Sequence, residues 1–132
     1  MRLQGQARTG LAIVAWLFVG CVFLQVFLAG LGVFGRQGFG AHQLFGYLFG
    51  WLTLAMLILA IVGRTGRRLI GLSALVLVMF ALQSVFVFVR EDLPMVAALH
   101  PVNGVAAGFV ALAIARGARN VGTREAAGWT GA

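Results

Sequence analysis

Four long apolar runs make up most of the chain, at residues 10–34, 41–63, 69–89 and 95–115, and only five or six residues separate each from the next. A helix needs about 20 mostly apolar residues to cross the hydrocarbon core of a bilayer, so each run is long enough to span it. Short connections make neighbouring helices antiparallel. The pattern therefore predicts an all-α fold: a four-helix up-down-up-down transmembrane bundle occupying the chain as one integral membrane domain. The loops fit this reading. Residues 35–40 are glycine-rich, 64–68 form a tight basic turn, and 90–94 end on Pro94, near the start of the last helix where proline is tolerated. Residues 117–132 are small and polar and are expected to form a loosely ordered tail.

Polar side chains are rare inside the runs, and the few present repeat. Gln25 precedes His42 by 17 residues, and Gln83 precedes His100 by the same 17. Each histidine is followed by glycines four and eight positions on, Gly46 and Gly50 in one copy and Gly104 and Gly108 in the other. The copies are offset by 58 residues, with Leu54/Leu112 and Ala55/Ala113 also in register. The bundle is thus expected to be two repeated helical hairpins. Because each hairpin starts on the same side, their pseudo-twofold runs along the membrane normal. That axis relates the second and fourth helices, so His42 and His100 are expected to face each other across the bundle.

Composition agrees with lipid as the main solvent: 61% of the 132 residues are hydrophobic and 10% are charged. The first apolar run is longer than the h-region of a signal peptide and carries Gln25, so it is read as a helix. The formal net charge of +7 does not indicate a nucleic-acid reader. All ten basic residues are arginines at the helix ends, and eight lie at the termini or in the second loop (Arg2, Arg8, Arg64, Arg67, Arg68, Arg116, Arg119 and Arg124). Only Arg36 and Arg90 occupy the other two loops. Basic short loops stay inside, which predicts cytoplasmic termini and an outward-facing histidine end. The expected location is a bacterial plasma membrane. Cys21 is the single cysteine, so the chain forms no internal disulfide, and Cys21 serves as a small packing residue.

Ionisable groups at membrane depth mark functional sites, because desolvating them is costly unless they are paired. Zinc calls for three or four protein ligands, and copper for more than two imidazoles. Haem iron needs only two, because the porphyrin supplies four nitrogens. His42 and His100 are therefore candidate axial ligands of a haem b. Gly46 and Gly104, one turn along on the same helix face, would leave a smooth surface for a flat macrocycle. Gln25, Gln83 and Asn103 are candidates to hydrogen-bond propionates or fix the imidazoles. Buried amides also act as plain helix–helix glue, and paired glycines as packing sites. Pro101 should make the last helix kink or begin near His100. Phe39, Phe45, Phe49, Phe80 and Phe86 face either lipid or the cofactor.

With these residues in place, the chain resembles one four-helix half of haem A synthase. The stretches that carry the likeness are Leu24-Gln25-Val26-Phe27-Leu28-Ala29-Gly30, His42-Gln43-Leu44-Phe45-Gly46, Leu82-Gln83-Ser84 and Ala98-Leu99-His100. It is similar, too, to small bacterial four-helix membrane proteins with a His-Pro-x-Asn-Gly run. Full-length haem A synthases have eight helices, and many carry an outer cysteine pair and acidic residue that this chain lacks. The resemblance therefore implies haem binding in a bundle more than haem-modifying catalysis. Glu91 and Asp92, at the membrane interface, are the only candidate acids or bases near the histidine end.

Three readings follow from the sequence. The first is a small b-type cytochrome that transfers electrons or carries haem, with a quinone or redox protein as partner. The second is a structural or accessory subunit of a larger membrane complex, without cofactor. The third is an enzyme acting on haem or a quinone as a homodimer.

Overall fold

The computed structural model describes residues 2–129 and is an all-α, four-helix bundle of two repeated hairpins. Its helices are α1 (Arg2–Phe34), α2 (Gly40–Val62), α3 (Arg67–Phe88), the single turn α4 (Pro94–Ala97) and α5 (Leu99–Trp129). Four segments are long and apolar enough to cross a membrane: α1, α2, α3 and Pro94–Arg119. In sequence order, α1 touches α2, α2 touches α3, α3 touches α5, and α5 closes the ring against α1. The hairpins α1–α2 and α3–α5 thus sit side by side, with α2 and α5 on one diagonal.

Two boundaries differ from the apolar pattern for local reasons. α1 begins at Arg2, eight residues before its apolar run, and its polar first turns end beside the second loop, where Arg8 Nε donates to the Gly63 carbonyl at 2.7 Å. The last span is broken rather than continuous. Pro94 opens a four-residue turn, and a new helix starts at Leu99, two residues before Pro101. A proline is tolerated in a first turn, where its missing N–H leaves no intrahelical bond unmade. α5 continues through residues 117–129, so the expected loose tail is helical there, and residues 130–132 lie outside the described part. The second loop turns through Arg64 (φ 47°) and Gly66 (φ 91°), the latter a conformation that favours glycine, before α3 begins.

The core repeats with the sequence. Buried residues pair at the same offset of 58: Leu11 with Leu69, Ala15 with Ser73, Phe18 with Val76, Phe49 with Ala107, Thr53 with Ala111, Met56 with Ile114, and Ala60 with Ala118. Ser73 and Thr53 bury their hydroxyls by donating to carbonyls of their own helices, Leu69 at 2.9 Å and Gly50 at 2.7 Å. This packed zone fills the half of the bundle nearest the termini and the basic loop. Toward the other end, residues 19–48 and 77–106 include no fully buried residue, and these two windows are themselves related by the 58-residue offset. The histidine end is therefore the loosely packed half.

Candidate functional site

The loosely packed half holds both histidines. α2 and α5 present them from opposite corners of the ring, and the imidazoles meet with centroids 6.0 Å apart and planes inclined at 61°. The repeat thus builds one symmetric constellation, as its spacing predicts.

Each imidazole is anchored within its own hairpin. His42 Nδ1–H donates to the Gln25 carbonyl at 3.1 Å, and His100 Nδ1–H to the Gln83 carbonyl at 3.3 Å. A carbonyl can only accept, so both rings carry their proton on Nδ1 and keep the Nε2 lone pair for another partner. The interval of 17 residues places each glutamine across the hairpin turn from its histidine. In the first hairpin the contact is reciprocal, because Gln25 Nε2 donates to the His42 carbonyl at 2.8 Å. In the second, Asn103 Nδ2 adds a different stitch, donating to the Met79 carbonyl at 2.8 Å. Asn103 matches Phe45 in the first copy, so the two walls of the site differ in polarity.

The glycines separate into two roles. A Cβ on Gly46 would lie 2.8 Å from Gln25 Nε2, and one on Gly104 would lie 2.7 Å from Gln83 Nε2. Both glycines are sockets that admit the glutamine amide of their own hairpin. The open surface expected over them for a flat ligand is taken up by carboxamide. Eight residues after each histidine, the contact passes between hairpins. Gly50 packs under the Phe80 ring, and a Cβ on Gly108 would meet Val22 at 3.2 Å. Val22 and Phe80 are equivalent in the repeat, so these are the same inter-hairpin contact made twice. The glycine spacing is visible in the sequence, but which glycine faces which partner depends on helix rotation and emerges only in three dimensions.

The two carboxamide oxygens stand out. Gln25 Oε1 and Gln83 Oε1 are both sealed from solvent with no hydrogen-bond partner among the described residues. Gln25 Nε2 lies on a carbonyl oxygen, which fixes which end of that amide is nitrogen. Sequence reasoning offered these amides as donors to propionates, as groups fixing the imidazoles, or as plain helix–helix glue. In the structure the donor end of Gln25 is spent inside the hairpin, and an acceptor is left over.

Aromatic rings line the inward side of the site. Phe49 lies 5.3 Å from both Phe18 and Phe45 and 5.4 Å from Phe80, centroid to centroid. Phe39 stands edge-on to His42 at 6.2 Å and fills the space over Gly32. Among the described residues no group of three or more His, Cys, Asp or Glu side chains converges on one point. Side chains of these types therefore supply at most two donors here, His42 and His100.

Residues 25–89 match a protein family described as a family of unknown function, DUF6220. The match covers just under half of the chain and takes in Gln25, His42 and Gln83. No curated protein and no solved structure matches the chain.

Proposed function

We propose that this chain is a small membrane b-type cytochrome in which His42 and His100 hold one haem b, serving electron transfer or haem carriage. The observation that carries the reading is the histidine pair: two rings from symmetric hairpins, 6.0 Å apart, each with Nδ1 committed to a carbonyl and Nε2 open. Metal–imidazole bonds of about 2.0–2.1 Å put the centres of two rings on opposite sides of one ion about 6 Å apart. The spacing between the rings is of the size that two imidazoles sharing one iron would need. The carbonyl contacts orient the rings, as partners of metal-bound histidine do. When bound, haem supplies a one-electron couple.

The glutamine carboxamides cover Gly46 and Gly104, so a haem held by His42 and His100 would not lie against these glycines. The eight-to-two distribution of arginines supports cytoplasmic termini and an outward-facing haem.

A second reading, a colourless accessory subunit, is favoured by one observation: the Gln25–His42 bonds already stitch α1 to α2 without any ligand. Absorption spectroscopy of the chain produced with haem available separates the two. The cytochrome reading expects a Soret band and split visible bands on reduction, with the low-spin spectrum lost in His42→Ala and in His100→Ala. A folded, colourless protein, or unchanged spectra in both variants, would discard it.

A further inference from the structure

The two copies of the repeat agree in their histidines and differ in what braces them. In the first, His42 Nδ1–H donates to the Gln25 carbonyl at 3.1 Å and Gln25 Nε2 donates back to the His42 carbonyl at 2.8 Å. In the second, His100 keeps only the former bond, at 3.3 Å, and Gln83 Nε2 has no hydrogen-bond partner among the described residues. Phe39 stands edge-on to the His42 ring, whereas its equivalent is Ala97, so no phenyl ring braces His100 from that position. The backbone differs as well. Gln43 N–H closes the turn that carries His42 by donating to the Phe39 carbonyl at 2.9 Å. Its equivalent is Pro101, which has no N–H, so the matching bond to the Ala97 carbonyl cannot form. α2 runs unbroken through its histidine, but the last span is interrupted at Ala98, two residues before His100.

All four differences loosen the same ring. We infer that His42 is the fixed member of the pair and His100 the exchangeable one, so that the position His100 occupies on the iron is a binding site for a small neutral diatomic ligand such as carbon monoxide, trans to His42. The ligand rests on the haem reading, whereas the inequality of the rings rests on the chain alone. The exchange breaks one bond, from His100 Nε2 to the metal, and forms one to the incoming ligand, with no change of oxidation state. A single contact holds the His100 ring to α3, so it can turn away at little cost. His42 could leave only by disturbing a reciprocal pair of bonds that joins α1 to α2.

Nitrogen-15 labelling of histidine reads the pair cleanly, because His42 and His100 are the only histidines in the chain. In the purified full chain in lipid nanodiscs without haem, the Nδ1–H of His100 should exchange with solvent at least about threefold faster than that of His42, the average worth of one interhelical hydrogen bond in a membrane protein. Equal rates, or faster exchange at His42, overturn the inference. In the haem-loaded, reduced chain, carbon monoxide should bind and shift the Soret band. The resonance Raman iron–carbon stretch of that complex should be unchanged in His100→Ala and altered or lost in His42→Ala. A Soret band that does not respond to carbon monoxide, or a stretch unchanged in His42→Ala, also overturns the inference while leaving the haem reading in place. A chain with no Soret band discards the haem reading and the ligand with it, and the exchange rates still decide between the two rings.

Discussion

Gly46 and Gly104 carry the most specific structural claim, that each is a socket for the glutamine of its own hairpin, and a double-mutant cycle can isolate it. In Gly46→Ala the new methyl would sit 2.8 Å from Gln25 Nε2, too close for any ordinary contact. The amide must retreat by several tenths of an ångström. Its 2.8 Å bond to the His42 carbonyl then stretches past the usual N–H···O limit of about 3.2 Å. Interhelical hydrogen bonds in membrane proteins average about 0.6 kcal/mol and reach about 1.7. Replacing a helical glycine with alanine returns up to about 1 kcal/mol through backbone entropy. The two effects nearly cancel, so the single variant should stay within about 1 kcal/mol of wild type. The information is in the coupling. In Gln25→Ala the obstruction is gone, and adding Gly46→Ala should then give the full helix-propensity gain. Gly46 and Gln25 should therefore couple by about 0.5–1.5 kcal/mol, as residues in contact do, and Gly104 with Gln83 likewise. The cross pair Gly46 with Gln83 should add to within about 0.3–0.5 kcal/mol. Reversible unfolding in mixed micelles, followed by helical circular dichroism, supplies the free energies. Additive behaviour within each hairpin, or equal coupling across hairpins, would refute the socket assignment.

Gly66→Ala forces a side chain into φ 91° and should cost about 1–3 kcal/mol. Gly20→Ala, in a helix with nothing near its added Cβ, should be neutral or stabilising by up to about 1 kcal/mol. Thermal unfolding of the pair checks this, and the reverse order would contradict it. Asn103→Leu removes the bond to the Met79 carbonyl and should cost about 0.6 kcal/mol and no more than about 1.7. The equivalent position already holds Phe45, so a much larger loss in the same unfolding assay would show a different role for Asn103. Reporter fusions at the C-terminus should give a cytoplasmic signal, and a periplasmic one would invert the proposed orientation.

The helices and their pairing were legible because the relevant signals are local. Apolar run length identifies membrane spans, and a fixed offset of 58 residues discloses two hairpins before any coordinates exist. Facing histidines on a diagonal followed from the symmetry alone. Helix ends were less legible, because α1 extends through Arg2 and Arg8 into a region whose stability comes from packing beside the second loop rather than from apolar content. α5 likewise continues through a polar stretch that apolar periodicity does not mark. At the histidine end, the repeat predicted which residues lie together and left one arrangement, the surface over Gly46 and Gly104, to be corrected by the structure. Glycine four residues after histidine reads equally as a platform for a flat ligand or as a socket for a neighbouring side chain. The choice is set by the rotation of α1 against α2, which spacing along one helix does not encode. The orphaned Oε1 atoms were invisible for the same reason: whether an amide oxygen finds a donor is a property of its surroundings.

The central claim is that one haem is held between the hairpins by His42 and His100, and the electron paramagnetic resonance spectrum of the ferric protein tests it most directly. The wild-type chain, loaded with one haem, should give a low-spin signal of the bis-imidazole type. His42→Ala and His100→Ala should each convert that signal to high-spin or lose the haem. A high-spin wild-type spectrum, or a low-spin spectrum that survives both substitutions, would contradict the account.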